Sequence, residues 1–172
     1  MSAMDFTATL FEPDPSLGFG KGPLISLPIE VSKKLPTRGM TLIEGNIGGI
    51  NFKAVVEPNG EGSHWFKVNR DLIKNAKIKT GDSVQILVEP SKDWPEPKIP
   101  KDFQMALENN TLARDTFLDI TPMARWDWIR WITSAKLEET RIRRVEVACS
   151  KLSSGMRRPC CFDRNQRTLT ES

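Results

Sequence analysis

A single histidine, His64, stands in the whole sequence. That scarcity removes most metal sites and most nucleophile–base pairs, both of which lean on imidazole. Cysteine is scarce too: Cys149, Cys160 and Cys161 are an odd number, and two of them are adjacent. Neighbouring thiols close only a strained ring, so no disulfide framework is expected, and free thiols suit the cytosol. No apolar run approaches the roughly 18 residues that cross a bilayer. Residues Met1 to Leu10 carry neither a basic segment nor a continuous apolar one, so no secretory signal is read there. The expected location is the cytoplasm, with no membrane partner. Gly18-Phe19-Gly20-Lys21-Gly22 has the composition of a phosphate loop but not its spacing, and no helix follows it. No motif asks for a cofactor or a metal, and no catalytic residue is assigned.

What is present is the composition of a folded protein: 38% hydrophobic and 27% charged residues over 172 positions. The net charge of +3 is mild but unevenly placed. Residues 1–98 hold 12 basic and 12 acidic groups, whereas residues 99–172 hold 13 basic against 10 acidic. The cation type also changes, from ten Lys and two Arg in the first part to three Lys and ten Arg in the second. Arginine makes planar, bidentate contacts with carboxylates and phosphates that lysine cannot reproduce.

The run Trp94-Pro95-Glu96-Pro97-Lys98-Ile99-Pro100 divides the chain, because three prolines in seven residues forbid a regular helix or a central strand. Four segments follow: a barrel domain over 1–93, a proline-rich linker over 94–100, a helical module over 101–158 and a basic tail over 159–172. Strands are expected at Phe6–Phe11, Leu24–Leu27, Thr41–Ile47, Asn51–Val56, Trp65–Val68 and Ser83–Glu89, several alternating in period two between turn residues. Gly48-Gly49 reads as a tight hairpin and Pro58-Asn59-Gly60-Glu61-Gly62 as a longer one. A repeat runs through this half. Ile25 to Leu35 followed by Arg38-Gly39-Met40-Thr41-Leu42 goes strand, helical turn, glycine turn, strand. Phe66 to Ala76 followed by Thr80-Gly81-Asp82-Ser83-Val84 keeps the same order at nearly the same spacing. Gly39 and Gly81 are expected to end the two helical turns in the left-handed conformation. Two such units predict a pseudo-symmetric closed barrel, and with the helices behind it the fold class is α+β.

After the prolines, helices are expected over Lys101–Asn110 and Leu112–Ile120. A third is capped by Thr121 with Pro122 at its first position and runs to about Ser134, and a last one runs from Leu137 to Ser154 and ends at Gly155. Trp126, Trp128, Ile129, Trp131 and Ile132 spread over roughly 220° of a helical wheel, wider than a surface helix needs. Either all three tryptophans are core, the simpler reading, or one stays exposed as a stacking platform or interface anchor. In the last helix, Arg141, Arg144 and Lys151 share one flank of the apolar face and Arg143 lies on the other. With Lys136 they form a candidate strip for an anionic partner. Pairing of Glu139 with Arg143 and of Glu138 with Arg141 is the structural alternative. Residues 141–167 nonetheless carry eight basic and two acidic side chains, more than local pairing neutralises. Gly81-Asp82 reads as turn chemistry. Cys160-Cys161 among arginines has the setting of lowered thiol pKa values, but with too few ligands for a closed zinc site the simpler reading is incidental thiols in the tail. His64 has no Cys or Asp at a telling spacing and reads as structural.

The run Ala135-Lys136-Leu137-Glu138-Glu139-Thr140-Arg141-Ile142-Arg143-Arg144, continuing to Leu152 and Gly155, resembles the most characteristic motif of the YdeI/OmpD-associated, or bacteriocin-protection, family. Gly45-Asn46-Ile47, Pro58 to Gly62 and Gly81-Asp82-Ser83-Val84 resemble the small barrel domain of unknown function that often precedes it. The resemblance covers about residues 5 to 158 and implies a bacterial-type cytoplasmic protein of barrel-plus-helices architecture, with no catalytic residues to carry over. Two functions stay open. One is a non-enzymatic binding protein whose Arg-rich last helix meets an anionic protein or nucleic acid. Its first specific version is DNA binding, since the repeat also resembles swapped-hairpin barrels of some transcription regulators. The other is a small-molecule binder or enzyme with a pocket at the barrel–helix junction, for which His64, Trp94 and Trp128 are the candidate lining. Nothing in the residues sets the oligomeric state.

Overall fold

The computed structural model of the chain describes residues 3–17 and 21–159. It divides into two compact units, the first running to Asp93 and the second beginning at Trp94. The class is α+β, with strands in the first unit and helices in the second.

The first unit holds β1 (Met4–Thr9), β2 (Leu24–Ser26), α1 (Ile29–Ser32), β3 (Thr41–Ile47), β4 (Ile50–Pro58), β5 (His64–Lys67), α2 (Arg70–Ala76) and β6 (Ser83–Ser91). The strand order is β1-β6-β3-β4-β5-β2, antiparallel throughout. Phe11, just past β1, exchanges backbone hydrogen bonds of 3.1 and 2.8 Å with Leu24 of β2 and so nearly closes the barrel. Alternation explains the inner surface. Met4, Phe6, Ile43, Ile47, Val56, Phe66, Val84, Ile86 and Val88 are buried, and in β6 they alternate with exposed neighbours. Phe52 stacks on Phe66 with ring centroids 5.5 Å apart. Each fully buried Leu, Ile or Phe contributes on the order of 1.5–3 kcal/mol, which makes this cluster the main source of the unit's stability.

The repeat is visible in the pairing register. Ile25 and Phe66 hold equivalent places in the two halves, and they face each other across β2 and β5. Gly45 and Leu87 are likewise equivalent, as are Asn46 and Val88. The observed pairs are Gly45 with Val88 and Asn46 with Leu87, so a pseudo-two-fold axis passes between them. Gly45 is there because β3 and β6 come close: a Cβ at this position would overlap the Leu87 carbonyl.

Both hairpins form as expected. Gly48 and Gly49 take positive φ (56° and 87°) between the paired Ile47 and Ile50. In the longer one, Asn59 Oδ1 accepts from the backbone N–H of Glu61 and Ser63. The helix-ending glycines are a correction. The left-handed residue that ends α2 is Lys77 (φ 55°), while Gly81 (φ 97°) belongs to the following turn, where Asp82 N–H donates to the Lys79 carbonyl. Gly39 has no positive φ, because the short α1 ends on a right-handed Lys33 and reaches β3 through several further turn residues.

The second unit holds α3 (Lys101–Glu108), α4 (Thr111–Asp119), α5 (Pro122–Thr133) and α6 (Glu138–Ser153). Asn110 caps α4 and Thr121 caps α5 by accepting the N–H three residues on, with Pro122 at the first helical position. Gly155 (φ 91°) ends α6: its N–H donates to the Leu152 carbonyl and that of Met156 to the Lys151 carbonyl. The core gathers Phe103, Leu107, Ala113, Phe117, Ile120, Trp128, Ile132, Ala148 and Leu152, with Phe103 edge-on to Phe117. The proline run is extended but docked on this unit. Pro97 is buried, Trp126 Nε1 donates to the Pro95 carbonyl (2.8 Å), and Glu96 takes Arg125 in a two-pronged pair. Among the described residues, no helix is long and apolar enough to cross a membrane.

Candidate functional site

The last helix carries four of the five residues expected to meet an anion, and their surroundings divide them. Arg141 reaches the first turn of α3, where Nε and Nη2 donate to the two carboxylate oxygens of Asp102 at 2.7 and 3.1 Å. The Arg141 guanidinium holds the Asp102 carboxyl below the usual carboxylate range, and Asp102 in return raises Arg141. Arg144 reaches the end of α5. Its Nη1 donates to the Trp131 carbonyl (2.7 Å) and to Ser134 Oγ (3.0 Å), and its guanidinium lies 5.6 Å from the centre of the Trp131 ring. A cation is well placed there, against the negative end of the α5 dipole and a π face. Arg141 and Arg144 thus fasten α6 to its neighbours. Arg143 is exposed on the outer face, half-buried Lys151 lies two turns further along, and neither forms an ion pair among the described residues. Lys136, just before the helix, is exposed as well.

The basic residues after α6 are also engaged. Arg157 Nη1 donates to Asp119 Oδ2 at 2.7 Å, and Arg158 pairs with Asp127, a fully buried carboxylate on α5. Arg130, also on α5, is buried. Helix α5 therefore buries two charged side chains besides Trp128. Trp128 is core, with Nε1 donating to the Arg157 carbonyl (3.1 Å) and its ring edge-on to Trp131. Trp126 and Trp131 are half-buried, so the tryptophan cluster is neither wholly core nor a bare platform. Trp94 is half-buried against Trp126, ring centroids 6.4 Å apart.

His64 belongs to the first unit, and the two tryptophans named with it belong to the second. It opens β5, is buried, and both ring nitrogens are used. Nε2 stands 2.8 Å from the Gly39 carbonyl, which can only accept, so the proton is on Nε2. Nδ1 must then accept from the Ser32 hydroxyl, 2.5 Å away at the end of α1. Burial lowers the His64 pKa more than the Gly39 carbonyl raises it, and Arg38 nearby lowers it further. A serine–histidine pair is the start of a nucleophile, but Ser32 is fully buried and no substrate reaches it. The pair ties the first half of the repeat to the second.

Two open depressions lie on the described surface. On the barrel, Glu44, Gly45, Asn46, Asn51, Phe52, Lys53, Leu87 and Glu89 frame a shallow polar face, where Lys53 pairs with Asp93 (2.6 Å) and Glu44 (3.7 Å). On the helical unit a second depression lies along the outer side of α3. Among the described residues no group of three or more His, Cys, Asp and Glu could hold a metal ion. Cys149 is a buried thiol whose pKa burial raises, and Cys160 and Cys161 lie outside the described residues.

Residues 96–155 match the family described as Bacteriocin-protection, YdeI or OmpD-Associated, and residues 6–88 match Domain of unknown function (DUF1905). The second unit carries a YdeI/OmpD-associated domain. Its family domain spans α3 to α6, and the domain of unknown function before it is the barrel from β1 to most of β6. No curated protein matches the sequence significantly. Within the YdeI/OmpD-associated domain, sequence reasoning missed Asp102 as the partner of Arg141, because the pair lies 39 residues apart and Glu138 offered a nearer carboxylate. It missed buried Asp127 for a similar reason, since no local periodicity marks a carboxylate whose partner follows the next helix. One signal was available: an Asp inside an otherwise aromatic and aliphatic helix must find a cation.

Proposed function

We propose that this protein is a non-enzymatic, cytoplasmic binding protein whose helical domain docks on an anionic protein surface through α6. One observation carries the reading: Arg141 and Arg144 fasten the helix from behind, while Arg143 and Lys151 remain on it without ion pairs among the described residues. A fastened helix pays little ordering entropy on docking, so its outer cations serve recognition. Protein is the favoured partner over nucleic acid, because few exposed cations on one helix neutralise few phosphates and the barrel half is electrically balanced. The test is binding at low and moderate salt to mixed DNA and RNA fragments, beside a pull-down from cell extract, each with wild type and with Arg143→Glu/Lys151→Glu. The reading expects a salt-sensitive protein partner lost in the charge-reversed variant, and weak nucleic-acid binding. Steeply salt-dependent nucleic-acid binding would replace the protein partner with a polyanion. A partner retained by the variant would remove α6 from the account.

The small-molecule alternative draws its support from Asp127 and Arg130 rather than from His64, Trp94 or Trp128. Buried charges in a small helical domain are the kind of group that orients a polar ligand. Thermal-shift screening of charged metabolites against wild type and Asp127→Asn tests it: a stabilising ligand that loses its effect in the variant supports it, and no stabilising ligand counts against it.

A further inference from the structure

We propose that the outer side of α3, with the chain leading into it, is a docking groove for an acidic segment of a partner protein that also carries an apolar side chain. This surface is separate from α6 and does not depend on the reading given for that helix. Helix α3 buries Phe103 and Leu107. Lys101, Gln104, Met105 and Glu108 follow at helical spacings on the opposite side, and Lys98-Ile99-Pro100 supplies the second wall. The depression between them is open, about 560 Å³ in volume, within the range that holds a few side chains.

Its floor and its rim ask for different chemistry. Met105 is 54% exposed, although the helix already has its core residues, and with Ile99 and Pro100 it forms an apolar floor. An unbranched thioether adapts to irregular apolar partners, which suits a docking surface better than a solvated helix face. The rim is cationic at one end. Lys98 and Lys101 are both exposed, and neither forms an ion pair among the described residues. The one carboxylate of the lining, Glu108, lies two helical turns from Lys101 and accepts a 3.4 Å hydrogen bond from Gln104. The groove is therefore polarised: a segment enters with its acidic side chains over Lys98 and Lys101 and its apolar side chain on Met105. Charge complementarity selects an acidic peptide over a basic one, and the apolar floor selects a peptide over a bare polyanion.

The full-length protein with ¹³C-methyl methionine reports on this directly, because Met105 is one of six methionines and its signal is assigned by Met105→Leu. The probe is a blocked peptide in which one leucine is flanked by glutamates, and the control is the same peptide with lysines in place of the glutamates. The acidic peptide alone is expected to move the Met105 signal, more at low salt than at moderate salt. Lys98→Glu/Lys101→Glu, exposed positions that leave the core intact, is expected to weaken binding by about tenfold or more. Arg143→Ala/Lys151→Ala is expected to leave it unchanged, which separates this groove from α6. An unmoved Met105 signal at millimolar peptide would overturn the proposal. So would equal response to the lysine peptide, or loss of binding in the α6 variant but not in the α3 variant.

Discussion

Between about pH 7.5 and about pH 5.5 histidine is the side chain whose ordinary pKa is crossed, and this chain has one histidine. In the folded barrel His64 is neutral, its Nε2–H given to the Gly39 carbonyl and its Nδ1 filled by the Ser32 hydroxyl. A second proton has to enter at Nδ1, where Ser32 must turn its own proton away, in a buried site near the Arg38 cation. The folded-state pKa is therefore lowered, while the unfolded chain keeps the ordinary value near 6.5. Below that value the unfolded state binds more protons than the native state. The contribution is thus fully present above about pH 6.5 and is lost as pH falls toward the folded pKa, with a slope that one proton limits to ~1.4 kcal/mol per pH unit. Urea denaturation at several pH values across this window measures the slope, and His64→Gln supplies the control. The variant should be less stable at neutral pH and should lose most of the slope. Wild type without a slope between about pH 6.5 and about pH 5.5, or a variant with the same slope, would refute the assignment of the buried pair.

Gly45→Ala should destabilise the barrel by the upper end of ~1–3 kcal/mol, because the atoms its Cβ would meet, at Leu87 and Val88, are backbone and cannot swing aside; a denaturation midpoint close to wild type would contradict the close β3–β6 approach. For Asp102 and Arg141, a double-mutant cycle to Ala by chemical denaturation should give a coupling of ~0.5–1 kcal/mol, modest because both side chains are partly exposed. That coupling should persist at neutral pH and fade below about pH 4, as Asp102, whose pKa is lowered in the folded state, takes up its proton. Cys149, buried and with its thiol pKa raised, should react with iodoacetamide far more slowly in native protein than in urea, read by peptide mass; equal rates would mean that the α6 core opens readily.

The barrel was largely legible because its signals are local. Thr41–Ile47 needed only a short Thr- and Ile-containing run between a glycine turn and a glycine hairpin, and it forms with those bounds. The ends that shifted did so for non-local reasons. Strand β1 starts at Met4 because β6 continues alongside it to Val88, and β6 runs past Glu89 because β3 still pairs with Pro90 and Ser91 after β1 has ended. Pro90 is tolerated there, beyond the last residue paired with β1, where a missing N–H costs the sheet little. The left-handed position at the end of α2 could not be found from glycine alone, since Lys77 adopts it at a cost that two backbone hydrogen bonds offset. In the helical unit, Thr121-Pro122 and Gly155 marked helix ends correctly because caps are satisfied by residues three or four positions away.

Site residues obey a different logic. The cations of α6 were legible as a group, but their roles were not, because an arginine's role is set by what stands opposite it. Arg141 and Arg144 share a flank in the sequence pattern, yet one ends on a carboxylate of α3 and the other on the carbonyl end of α5. Either would be misread as a ligand contact by an alanine scan that scored binding alone, since loosening α6 displaces Arg143 and Lys151 with it. Arg141→Lys separates the two roles. A lysine keeps the charge but cannot span both oxygens of Asp102, so a positioning residue loses stability and binding together. A residue that only supplies charge to the partner keeps most of its binding at low salt. Stability and affinity measured on the same variant therefore decide whether the face of α6 toward α3 or its outer face does the recognising.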